Sequence, residues 1–147
     1  MMKQEDKQLL LKDLCSRLSY GVKVQVCNAT EYTPILKGIL GDDLFLQFDY
    51  ITKPIKNGDS TYNLIEDNIK PYLRPMSSMT EKERGEYNRF IFDYEYDDYW
   101  NPGKYRDAVE IYMMDELIDW LNAHHFDYRN LIEQGLALPA PEGMYKF

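Results

Sequence analysis

Leu10, Leu11, Leu14 and Leu18 recur three to four residues apart, with Lys7, Lys12, Asp13 and Arg17 between them. Residues 4–18 therefore read as an amphipathic helix whose charged positions point away from the core. Gly21 closes it. Val22, Val24 and Val26 then alternate with Lys23 and Gln25, the period of a strand with one buried face, and residues 28–33 form a polar loop. Two apolar runs, 35–40 and 44–50, flank Gly41-Asp42-Asp43, and Leu44, Leu46, Phe48 and Tyr50 share one face, which predicts a hairpin. Asn57-Gly58 marks a further turn. The stretch from Tyr62 to Leu73 is extended, but Pro71 and Pro75 demote it to an edge strand or a crossover. Four or so short strands after one helix suggest a small, strongly bent antiparallel sheet, with an SH3-like partial barrel as one form of it.

Beyond Pro75 the pattern changes. Thr80 followed by Glu83 is a capping box, and the capped helix is polar as far as Tyr87. Phe90, Phe92, Tyr94 and Tyr96 alternate with Ile91, Asp93, Glu95 and Asp97, which predicts a strand; Asn101-Pro102-Gly103 supplies a turn, and Lys104 to Tyr112 reads as the return strand of a hairpin. Asp115 is placed to cap a helix with Leu117, Ile118 and Leu121 as its apolar stripe and Trp120 beside it, ending at His124 and His125. Asp127 is placed to cap a shorter helix in which Leu131 and Ile132 pack inward and Gly135 stops the chain. Residues 136–147 hold two prolines and a glycine and read as an extended strap. The expected architecture is α+β: residues 1–75 form a helix and a small antiparallel sheet, and residues 76–147 form a helix, a β-hairpin and two helices packed on it as one compact domain.

Composition narrows the functional classes. At 147 residues and 44% hydrophobic, the chain can bury a core. Its net charge of −8 opposes direct contact with nucleic acid or anionic membranes. The start Met-Met-Lys-Gln-Glu-Asp-Lys-Gln and the short run Leu9–Leu11 fit neither a signal peptide nor a membrane span, so the expected setting is cytoplasmic, with Cys15 and Cys27 as reduced, buried thiols.

Candidate chemistry is thin. Asp93, Glu95, Asp97 and Asp98 could offer oxygen ligands to a hard cation, but they lack the glycine and twelfth-position glutamate of a calcium loop, and a solvated strand face accounts for them. His124 and His125 are adjacent, so on a helix they point about 100° apart and cannot readily share one metal; imidazoles beside helix-end carbonyls account for them. A nucleophilic pair of Cys15 with His125 would make a small hydrolase, yet no glycine-flanked elbow presents either group. The eight glycines are scattered, with no phosphate-loop or dinucleotide fingerprint, so no cofactor is expected. The 13 tyrosines and two tryptophans stand out, because these residues are enriched where surfaces bind partners. Tyr94, Tyr96, Tyr99, Trp100 and Tyr105, set among acidic residues at the expected hairpin tip, form the candidate contact patch.

Three blocks carry a resemblance: residues 9–22 (LLLKDLCSRLSYGV), 71–80 (PYLRPMSSMT) and 119–129 (DWLNAHHFDYR). In them the chain resembles a family of small uncharacterised proteins of gut Bacteroides, their prophages and phages. The resemblance implies a cytoplasmic bacterial setting with a link to mobile elements; it assigns no activity, and the run from Asp93 to Trp100 is not part of the shared pattern. The functional expectation is a non-enzymatic protein that binds a protein partner. The alternative is an acidic mimic that occupies the nucleic-acid groove of a host defence protein.

Overall fold

The computed structural model describes residues 2–48, 61–100 and 106–146, the stretches 92–100 and 106–112 by their backbone alone. The first helix, α1, spans Gln4–Arg17, with Glu5 and Asp6 in its first turn and Arg17 in its last, each complementing the helix dipole. A 3₁₀ turn, Leu18–Tyr20, follows, and Gly21 leaves it at φ 71°, a left-handed conformation that glycine adopts without steric cost. Leu10 and Leu14 are fully buried, as the spacing predicts. Asp13 and Arg17 are not turned to solvent, as expected, but are also fully buried. Their charges are met inside the protein: Arg17 Nε donates to Asp13 Oδ2 at 2.8 Å, and Arg17 Nη2 donates to the Phe126 carbonyl at 2.7 Å. Cys15 and Cys27 are exposed, which corrects the expectation of buried thiols.

The strands form two three-stranded sheets. Strands β1 (Val24–Gln25), β2 (Ile35–Leu40), β3 (Asp43–Gln47), β4 (Thr61–Asn63) and β5 (Lys70–Leu73) precede the long helices, and β6 (Leu138–Pro139) follows them. The order β2-β3-β4 is antiparallel throughout, and its hairpin turns at Gly41-Asp42. Leu44 and Leu46 are buried and Phe48 is partly buried against the core, so the inward face is the expected one; Tyr50 and the Asn57-Gly58 turn lie outside the described residues. The second sheet, β1-β5-β6, is mixed, since β1 pairs antiparallel and β6 parallel with β5. Val22, Val24 and Val26 are all fully buried, as their alternation requires. The extended stretch from Tyr62 to Leu73 divides into β4 and β5, and β5 is the central strand of its sheet, not an edge. Pro71 is tolerated there because the β6 ladder begins at Tyr72, one residue beyond it, so the missing N–H removes no bond on that side.

The expected hairpin of residues 90–112 is replaced by two helices, α2 (Glu81–Trp100) and α3 (Arg106–Ala123). The alternating aromatics mislead because Tyr87, Ile91 and Tyr94 also recur at helical spacing, and no proline interrupts the run from the capping box to Pro102. Asp115 consequently lies inside α3 and does not cap it. The second C-terminal helix is also absent: residues 131–135 make turns only. Asp127 holds that turn with both oxygens, accepting from the N–H groups of Leu131 at 2.8 Å and Ile132 at 2.9 Å. Leu131, Leu136 and Ala137 join the leucines and valines of the first half in one core cluster. The fold is thus α+β, with an N-terminal helix, mixed and antiparallel sheets and C-terminal helices. Among the described residues, no helix is long and apolar enough to cross a membrane.

Candidate functional site

The site is built around the start of α2 and the end of α3. The capping box forms in both directions: Glu83 N–H donates to Thr80 Oγ1 at 3.1 Å, and Thr80 N–H donates to Glu83 Oε1 at 2.9 Å. The same carboxylate receives both terminal nitrogens of Arg74, at 2.6 and 2.7 Å, which ties the end of β5 to the first turn of α2. These bonds from Arg74, against the cost of burial, hold the Glu83 carboxyl down at about 2. The Arg74 guanidinium also lies over the Phe126 ring, 4.2 Å from its centroid.

At its far end α3 stops in a Schellman motif. His125 N–H donates to the Asn122 carbonyl and Phe126 N–H to the Leu121 carbonyl, with His125 in the left-handed conformation at φ 62°. This turn separates the two histidines. His124 lies on the Trp120 ring, with centroids 4.4 Å apart, whereas His125 turns inward and stacks on Tyr145 at 3.6 Å. His125 is therefore not a cation resting on helix-end carbonyls: loss of hydration first, then the nearby Arg17, Arg74, His124 and Lys23, pushes its pKa down to about 4. Cys15 sits exposed on α1, while His125 is buried and stacked on Tyr145. Among the described residues, no three His, Cys, Asp or Glu side chains converge as metal ligands.

Trp120 is the centre of the aromatic cluster. Its ring stacks on Phe126 at 5.7 Å on one side and meets Tyr87 at 6.3 Å and Phe90 at 6.0 Å from α2. Its indole N–H donates to Glu86 Oε2 at 3.0 Å, so the polar edge of the ring is fixed as well as its faces. Trp120 is half-buried, and with Glu86, Arg89 and Phe90 it lines a cleft of about 340 Å³. Large apolar side chains stand exposed on the same two helices: Ile91 on α2 is 40% and Met114 on α3 is 51% accessible. The cleft thus offers an aromatic floor, a carboxylate and a guanidinium, a mixture suited to recognition.

Of the five aromatic residues that the sequence offers as a contact patch, Tyr105 lies outside the described residues. At Tyr94, Tyr96, Tyr99 and Trp100 only the helical backbone is described, and it belongs to the last two turns of α2 in place of a hairpin tip. Asp93, Glu95, Asp97 and Asp98 likewise lie where only backbone is described. Trp120 stands out in the sequence as an amphipathic ring, but its partners do not, because the contacts with Glu86, Tyr87 and Phe90 come from packing the start of α2 on the end of α3.

Compared with protein-family models, with curated proteins and with solved structures, the chain matches none.

Proposed function

We propose that this chain is a non-enzymatic protein-binding protein of phage or prophage association, acting in the bacterial cytoplasm, and that the cleft over Trp120 seats its protein partner. The observation that carries the reading is the cleft itself. A tryptophan held by stacking and by one hydrogen bond loses little conformational freedom on contact, and Arg89 stands beside it as an adaptable arm. The setting rests on the resemblance of the three sequence blocks to the Bacteroides, prophage and phage proteins.

The exposed Arg89 of the cleft provides the test, since Trp120 also packs on the buried Phe126 and its removal would disturb the fold. Arg89→Glu and Arg89→Ala should each leave the melting temperature within about 3 °C, as surface changes do. Arg89→Glu should also weaken partner capture from a Bacteroides host lysate by tenfold or more, and Arg89→Ala by less. A photo-crosslinker at position 89 should yield a discrete protein adduct. Capture that is indifferent to both variants would remove the cleft from consideration. A captured nucleic-acid-binding protein whose hold collapses with salt would favour the acidic mimic instead.

A further inference from the structure

The strap of residues 138–146 is attached at two places. Near its start, β6 pairs with Tyr72 and Leu73 of β5, and Ala140 N–H donates to the Leu73 carbonyl at 2.8 Å. Near its end, the Tyr145 hydroxyl accepts the Lys23 N–H at 2.9 Å and donates to the Tyr72 carbonyl at 2.7 Å, while Lys23 Nζ donates to the Met144 carbonyl at 3.2 Å. Between the two attachments the strap walls a cavity of about 490 Å³, whose other side is Arg74, Pro75, Ser78 and Thr80. The Tyr145 ring lies flat on His125, with centroids 3.6 Å apart and planes 14° from parallel.

The seat under Tyr145 is sensitive to charge. His125 is only 5% accessible, and among the described residues the charged or titratable groups that act on it include Arg17 from α1, Lys23 ahead of β1, Arg74 after β5, and His124 beside it. The nearby carboxylates are already held, Asp13 by Arg17 and Arg129, Glu83 by Arg74, and Asp127 by the N–H groups of Leu131 and Ile132. A phenol face attracts a cation, while dehydration first and then the charges of nearby groups, Arg17 and Arg74 foremost, work in the opposite direction and lower the His125 pKa to about 4.

We propose that residues 138–146 form an acid-released flap, in which the neutral His125 ring seats Tyr145 and protonation of His125 frees the strap from the cavity and from the edge of β5. In the open state His125 regains hydration and its pKa moves up toward the ordinary 6.5, whereas in the closed state it lies at about 4. The open state therefore binds the proton more tightly, and each step of acidification between those values favours opening.

Amide hydrogen exchange on the full chain tests this, corrected for the intrinsic pH dependence of exchange. The Lys23 and Ala140 amides report the two attachments, and the Leu36 amide, which donates to the Val22 carbonyl at 3.0 Å, reports the core. Between pH 7 and 4.5 the opening constant at Lys23 and Ala140 should rise by roughly tenfold or more while Leu36 stays protected. His125→Asn keeps a residue that tolerates the left-handed backbone and removes the titration, so exchange at Lys23 and Ala140 should become flat with pH. Tyr145→Phe retains the stack but not the hydroxyl bonds; it should raise opening at all pH values and keep the pH dependence. The proposal is overturned if Leu36 opens together with the strap, if the wild-type strap is indifferent to pH, if the dependence survives in His125→Asn, or if Tyr145→Phe leaves Lys23 as protected as before.

Discussion

Arg74 and Glu83 meet through two parallel hydrogen bonds, 2.6 and 2.7 Å long, at the junction where the sheet hands the chain to its longest helix. The pair is largely buried, and Glu83 also serves the helix cap, so one carboxylate secures both the position of α2 and its first turn.

This arrangement sets an acid limit. The Glu83 carboxyl titrates at about 2 in the folded chain against an ordinary 4.5, so its contribution to stability is complete above pH 4.5 and is lost as pH falls from there through about 2. Thermal melts at pH 6, 4 and 2.5 should show a falling midpoint for the wild type. The fall should be shallower in Glu83→Gln, which starts from a lower midpoint. Parallel curves would show that Glu83 is not the group responsible.

Removing the other half of the cap isolates a smaller term. Thr80→Ala should cost about 1 kcal/mol in denaturant unfolding, since it deletes the acceptor for the Glu83 N–H and leaves Arg74 in place. An unchanged midpoint would place the start of the helix elsewhere.

The buried charges of α1 predict a larger loss. Arg129 Nη1 donates to Asp13 Oδ1 at 2.7 Å, so this carboxylate joins two arginines, and the Tyr128 ring lies beneath both guanidinium groups, at 5.1 and 4.6 Å. Asp13→Ala should destabilise by about 3 to 5 kcal/mol, because it strands Arg17 in the interior without its counter-ion. Asp13→Leu combined with Arg17→Met should cost clearly less than the sum of the single changes, which a double-mutant cycle measures directly.

Leu46→Ala in β3 and Leu121→Ala in α3 should each cost about 2 to 5 kcal/mol, since both side chains are buried, at 3% and 4% exposure. Urea midpoints would check this, and a neutral result at either position would mean that its face is not packed.

What was legible in the sequence is what local chemistry dictates. The capping box, the valine alternation and the hairpin at Gly41-Asp42 each depend on residues a few positions apart, and each stands where its residues place it. Residues 90–112 failed because aromatic side chains spaced by two satisfied a strand while others spaced by three and four satisfied a helix, and the cap at Thr80 decided between them. Arg17 could not be read at all. A charged residue on the polar side of a helical wheel looks solvated until its acceptor is known, and here the acceptor is a carbonyl on the turn after α3. The same holds for His125, whose basicity is depressed first by burial and then by charged residues on other segments.

The bond from Arg17 to Phe126 spans 109 residues. A ribosome adding roughly 5 to 20 residues per second needs several seconds or more to cover that interval. Throughout it Arg17 has its Asp13 partner on the same helix, but the Phe126 carbonyl that receives its Nη2 has not yet been made. The burial of this side chain is therefore incomplete while the nascent chain holds only the first half. During synthesis that half is a candidate for chaperone contact, and the turn at Phe126 is the point after which it can close.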